Sequence, residues 1–156
     1  IVAERFDAPA IVESSLTCHA MMSESSVKAA LARASACDLA FIGIGSFGVH
    51  TSRKILDSMR LSDEEMATVL AAQPAGDILG RFFDINGTPL GPPSSERVIG
   101  IEIEAVRAIE IAVALAAGKE KTHGVLGALR TGVFDILVVD EGLAASVLAG
   151  LSGQSR

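Results

Sequence analysis

Three apolar runs of strand length, Leu39-Ala40-Phe41-Ile42, residues 109–116 and residues 134–139, stand between segments whose apolar residues recur at helical spacing. This alternation constrains the chain more than any other feature. An unbroken apolar run is what a parallel strand covered on both faces looks like. Helices between successive runs supply right-handed crossovers that return each strand to the same sheet. The sequence therefore predicts an α/β fold: an open, Rossmann-like, mostly parallel sheet with helices on both faces.

The flanking segments fill in the order. Val27, Ala30, Leu31 and Ala34 make one face of a helix over residues 23–36, with Ser23 available as its N-cap. After a polar stretch, Ser62-Asp63-Glu64-Glu65 opens a short helix that runs to Leu70, its acids near the positive helix end. Residues 81–85 and 88–90 read as a hairpin around an Asn86-Gly87 type I′ turn, with Pro89 marking an edge or short arm. Residues 91–95 form a loop, 98–103 extended chain and 104–108 one helical turn. A helix over residues 119–129 stops before Gly132. Asp140 caps a last helix whose Leu143, Val147, Leu148 and Leu151 form one stripe.

At 156 residues the chain suits one domain, and its net charge of −6 repels a phosphate backbone. No basic patch overrides that field, so direct DNA contact by these residues is not expected. The 6 aromatic residues are all Phe, too few for a stacking platform. Cys18 and Cys37 match no metal or disulfide spacing and read as small apolar residues in a reducing, cytoplasmic compartment. His19, His50 and His123 lack triad or metal spacing, so no metal ligand and no catalytic residue is predicted, and no cofactor. No apolar run reaches the roughly 18 residues of a membrane span.

In an open α/β sheet ligands bind beyond the carboxyl ends of the strands, which puts residues 43–48 and 117–121 on one rim. Gly43-Ile44-Gly45-Ser46-Phe47-Gly48 matches G-x-G-x-x-G, yet no helix opens at once and no acid ends a following strand at the right distance, so a dinucleotide is disfavoured. Small residues there let backbone N–H groups approach an anion, with the Ser46 hydroxyl as a further donor; a plain tight turn is the alternative. Lys119 and Lys121 sit at a helix start, where cations are unfavourable unless a bound phosphate or solvent offsets them. Asp77 follows Gly76 just before the hairpin, placed to accept hydroxyl hydrogen bonds from a sugar or to cap a turn.

The strings DLAFIGIGSFG (38–48), LSDEEM (61–66), GDILGRFFDINGTPL (76–90), ERVIGIEIEAVRAI (96–109), AAGKEKTHGVLGALRTG (116–132) and FDILVVDEGLAASVLAG (134–150) occur in an order and spacing that resemble the effector-binding domain of the SorC family of bacterial sugar-metabolism regulators. The resemblance covers nearly the whole chain. It implies a fold similar to the sugar-isomerase and CoA-transferase-like group, and a phosphorylated sugar as effector. It also implies homo-oligomerisation, and operator DNA reached only through a helix-turn-helix domain that these residues do not include. The residues it implies for the effector are Gly43, Ile44, Gly45, Ser46, Asp77 and Lys121. On this resemblance the chain is an effector domain over residues 1–156, incomplete at its N-terminus. Ala117, Glu110 and the longer 91–95 loop depart from the family pattern. An isomerase- or deaminase-like enzyme on the same fold, with Lys121 as a proton-transfer or Schiff-base residue, is the competing reading, and a purely structural oligomerisation module is a third.

Overall fold

Residues Leu39–Ser46 (β1), Pro74–Ile78 (β2), Arg81–Asp84 (β3), Ile111–Ala116 (β4) and Ile136–Val139 (β5) form one sheet in the order β3-β2-β1-β4-β5. β1 pairs with β4 and β4 with β5 in parallel, while β2 pairs antiparallel with both β1 and β3. Only β2 therefore runs against the others, and the expected open, mostly parallel α/β architecture is what the chain adopts. The structure, a computed structural model, describes residues 5–152, without the side chains of residues 50 and 51, so the reading of the His50 side chain lies outside it.

Helices Ser15–Ser23 (α1), Ser25–Ser35 (α2), His50–Ser58 (α3), Asp63–Ala71 (α4), Ile103–Val106 (α5), Thr122–Arg130 (α6) and Glu141–Ser152 (α7) surround the sheet. α4 starts where the sequence says it should: the Ser62 hydroxyl accepts from the Glu65 N–H and the Glu65 carboxylate accepts from the Ser62 N–H, a closed capping box. α7 starts at the predicted cap, with Asp140 Oδ1 accepting from the Leu143 N–H at 3.0 Å.

The two faces of the sheet differ. On one, Ile42 and Ile44 of β1, Ala112, Ala114 and Ala116 of β4, and Phe83 of β3 join Val125, Leu126 and Ala128 of α6 and Leu143 and Val147 of α7 in a single core. Gly76 of β2 and Gly124 and Gly127 of α6 let α6 lie close to β1, β2 and β3. On the other face, Phe82 of β3 packs with Leu56, Met59, Val69 and Val98, which brings α3 and α4 over the β2–β3 side only. Beyond that cover Leu39, Phe41, Ile111, Leu115, Ile136 and Val138 are exposed, Phe41 by 66%.

Several expectations are corrected. The apolar strands are not all covered on both faces: the runs reflect alternating residues of which one set packs and the other is largely open, Val113 of β4 being a buried exception, and β5 is an edge strand with half its residues exposed. Gly43, Ile44, Gly45 and Ser46 do not form a loop. They finish β1, because β2 gives Ile44, Gly45 and Ser46 antiparallel partners in Ile78, Asp77 and Gly76. β2 over residues 74–78, α3 over 50–58 and α1 over 15–23 are elements that the sequence reading does not assign. Ser23 ends α1 instead of capping α2, whose cap position is Glu24. The main hairpin joins β2 to β3 through Leu79 and Gly80, both at positive φ. At Asn86-Gly87 only Gly87 has positive φ and its N–H bonds the Asp84 carbonyl, so the turn is not type I′; Asp84 Oδ1 also accepts from the Asn86 and Thr88 N–H groups. The second arm shrinks to a bridge between Phe83 and Pro89.

Candidate functional site

The carboxyl ends of β1, β4 and β5 share one rim, and the close seating of α6 shapes it. Gly124, in the first turn of α6, lies against the end of β1: a Cβ there would stand 2.5 Å from the Gly45 carbonyl oxygen and 2.8 Å from Ser46 Cα. Only hydrogen fits at that contact. The Gly124 N–H donates to Ser46 Oγ at 3.1 Å, so a helix N–H that has no partner within its own helix is satisfied by the strand.

That seating delivers Lys121. It ends the short 3₁₀ turn Lys119–Lys121 and takes the cap position of α6, and its Nζ donates to the Ile44 carbonyl oxygen at 3.1 Å. No carboxylate forms an ion pair with it among the described residues. An ammonium has three N–H donors, and one carbonyl leaves donors for an anion. The preceding turn bends through Gly118 at φ +97°, which an L side chain rarely adopts, and Asp140 Oδ2 accepts the Gly118 N–H at 2.7 Å. Asp140 therefore both caps α7 and holds the loop that carries Lys121. The backbone N–H groups that bond it, Gly118 first and then Leu143, hold its carboxyl below the usual range. Leu115, Ala116, Ala117, Lys121, Val138, Val139 and Asp140 line a broad hollow of about 410 Å³ on this rim.

Asp77 lies on the neighbouring strand β2, outside the lining of that hollow. In β2 it faces Gly45 across the strand pair, next to the residue whose carbonyl Lys121 engages, and it is 6% exposed. Ser52 Oγ donates to Asp77 Oδ1 at 2.5 Å. Burial pushes the Asp77 carboxyl above its ordinary range, opposed in turn by the Ser52 hydroxyl, the Gly80 N–H and the Lys121 charge.

The structure thus brings together four of the six sequence-derived residues: the Ile44 carbonyl, Gly45, Asp77 and Lys121. Gly43 is exposed on the open face, and a Cβ there would meet nothing within 4 Å, so it leaves the floor beside the rim clear. Ser46 turns away, its hydroxyl 1% exposed and engaged by α6. The G-x-G-x-x-G reading fails on geometry, since Gly43 and Gly45 lie within β1 and the strand after α3 and α4, β2, pairs antiparallel with β1 where a dinucleotide-binding unit needs a parallel one. Two contributors escaped the sequence reading. Asp140 was recognised as a cap but not as the anchor of Gly118. Ser52 was passed over in a polar stretch, although Ser52, Leu56 and Met59 recur at spacings of four and three and are all buried.

A second hollow, about 360 Å³ and lined by Cys18, His19, Arg81, Glu96 and Glu102 among others, also holds a cation. There the Arg81 guanidinium is already used: it donates to the Ile101, Ser95 and Gly100 carbonyls and pairs with Glu102 at 2.8 Å. Among the described residues no three His, Cys, Asp or Glu stand close enough to hold a metal ion, and no helix is long and apolar enough to cross a membrane.

Comparison with known proteins gives consistent matches. Residues 2–149 match the family model described as "Putative sugar-binding domain". The chain is 30% identical over 142 residues to the sorbitol operon regulator of Klebsiella pneumoniae, covering 91% of this chain and 44% of that protein. It is 31% identical over 142 residues to the transcriptional regulator LsrR of Escherichia coli, covering 90% of this chain and 45% of that one. Among solved structures, the sugar-binding domain of a transcriptional repressor from Vibrio fischeri superposes with a TM-score of 0.86 at 31% identity, over 96% of this chain and 59% of that one. The chain thus spans less than half the length of these curated relatives.

Proposed function

The chain belongs to the sugar-binding domain family, and on that premise we propose that it is the ligand-sensing part of a longer transcriptional regulator of carbohydrate metabolism, with a phosphorylated sugar as its effector. The observation that carries the reading is Lys121, an ammonium held at the rim by one carbonyl, with Asp77 one β1 position away across the strand pair. Lys121 binds the phosphate. Asp77 accepts hydrogen bonds from sugar hydroxyls, and the Gly43 position and the apolar floor leave room for the sugar ring.

Occupancy is coupled to DNA reading by differential affinity: a sugar phosphate that favours one arrangement of the regulator shifts the population of its DNA-reading heads. DNA is reached through a helix-turn-helix domain elsewhere in that regulator, a homo-oligomer in the cytoplasm, and the charge of −6 on this chain agrees with that division of labour. Sensing rather than catalysis is supported by the relatives, which are named as regulators.

A thermal-shift panel of sugars and sugar phosphates tests the proposal. Saturable stabilisation by a phosphorylated sugar is expected, about 2.7 kcal/mol at 100 times the dissociation constant, with no turnover of the ligand. Product formation from the bound sugar phosphate, or borohydride trapping of it on Lys121, would establish an enzyme instead. Stabilisation by unphosphorylated sugars alone would remove the phosphate from the reading.

A further inference from the structure

Behind the acid of the site lies a hydroxyl with no role so far. Ser52 is on the first turn of α3 and 0% exposed, and its Oγ donates to Asp77 Oδ1. Burying a hydroxyl and a carboxylate together costs free energy that an apolar pair of the same size would avoid. The chain nevertheless shapes three elements around this contact. A Cβ at Gly45 of β1 would stand 1.9 Å from Asp77 Oδ1 and 2.6 Å from Ser52 Oγ, so the missing side chain makes the space. The Gly80 N–H at the end of the β2–β3 turn also favours the ionised Asp77 carboxyl. The rest of the α3 face at this level is apolar, with Leu56 and Met59 buried in the cluster around Phe82.

We propose that Ser52 is a positioning residue for sugar recognition: its hydroxyl occupies one oxygen of Asp77 and fixes the carboxylate so that the other oxygen meets one sugar hydroxyl in one direction. The proposal rests on the reading of Asp77 and Lys121 as the sugar-phosphate site. Without the Ser52 hydroxyl the carboxylate loses a donor and its fixed orientation, so discrimination between sugars suffers while phosphate binding at Lys121 does not. The groups with charge or polarity that face the Asp77 carboxylate are Ser52 from α3, Gly80 from the β2–β3 turn and Lys121 from the start of α6.

The test uses this chain and its Ser52→Ala and Ser52→Cys variants, with folding checked by circular dichroism. Glucose 6-phosphate, fructose 6-phosphate and inorganic phosphate are titrated by calorimetry, and the Asp77 carboxyl is followed through its pH titration by carbon NMR without ligand. Ser52→Ala should weaken the better-bound sugar phosphate roughly tenfold and narrow the gap between the two sugars, with inorganic phosphate changed less than about twofold. Ser52→Cys, which keeps the shape and a weak donor, should fall between. The Asp77 titration should move to higher pH in Ser52→Ala, because a bond to the ionised form is lost. Equal losses for sugar phosphates and inorganic phosphate, or unchanged sugar affinity, would overturn the proposal, as would an unmoved Asp77 titration. If the unaltered chain binds none of the three probes while the Asp77 titration still moves, the sugar-phosphate site itself has failed and the positioning role falls with it.

Discussion

On one face of the sheet Ile42, Ile44, Ala112 and Ala114 lie under α6 and α7 with Phe83 wholly buried, whereas on the other the alternate residues Phe41 of β1 and Leu115 of β4, with Val138 of β5, stand in the open. Cover on that second face reaches only β3 and β2, under α3 and α4, and stops at the Gly45–Asp77 pair. The step between cover and open floor is where Asp77 meets Ser52 and where Lys121 reaches the end of β1. Contiguous exposed apolar surface next to a few convergent polar groups is the usual mark of a binding surface, and here the polar groups sit along its border. The closed face stabilises the domain, and the proposed recognition site lies along the border of the open one.

The largest expected contrast is in stability. Phe83→Ala should cost about 3–5 kcal/mol, since the ring fills the space between β3 and α6, while Phe41→Ala should stay within about 0.5 kcal/mol. Denaturant unfolding of the two variants measures it, and a comparable loss for Phe41 would mean that the open face is covered. Next come the glycines. Gly124→Ala forces a Cβ into the β1 backbone and should cost about 1–3 kcal/mol, whereas Gly43→Ala on the open floor should be neutral or stabilise by up to about 1 kcal/mol.

The smallest contrast is in pH dependence. A carboxyl raised above its unfolded value, as Asp77 is, takes up a proton more readily when folded; its ionisation therefore costs stability as pH rises from the ordinary carboxylate range through the raised value. Asp140, held low by backbone N–H groups, does the opposite: its contribution is present above the ordinary range and is lost as pH falls. Melting curves from pH 3 to 7 should show Asp77→Asn gaining on the unaltered chain as pH rises and Asp140→Asn losing ground. Parallel curves for both would contradict the burial of Asp77.

What the sequence made legible was set by how local each signal is. The Ser62 capping box and the Asp140 cap act over three residues and were read correctly. β2 was not, because Pro74, Gly76 and Asp77 are turn-forming residues that become a strand only when Gly76 lets α6 approach and Asp77 finds Ser52. Leu79 at positive φ disguised the true hairpin, and Asn86-Gly87 advertised another. For the site, the rim argument and the SorC resemblance brought the glycine segment, Asp77 and Lys121 into one neighbourhood. The side on which each residue points was beyond reach, since the antiparallel partner β2 had not been recognised and β1 therefore ended too early. Ser46 faces α6 because β1 continues its alternation past Ile42 and Ile44, and Ser52 lies on a helix that the polar sequence hides.

The most direct test of the open border as a sugar-phosphate site is a backbone amide map of the chain during titration with the sugar phosphate that stabilises it most, repeated with Lys121→Ala. Shifts should concentrate at Gly43, Gly45, Asp77, Gly118 and Lys121, and Lys121→Ala should weaken the titration about 10- to 150-fold, the loss of one charge-assisted hydrogen bond. Shifts gathered around Cys18, Arg81 and Glu102, or an unchanged affinity in Lys121→Ala, would place the ligand elsewhere and contradict the account.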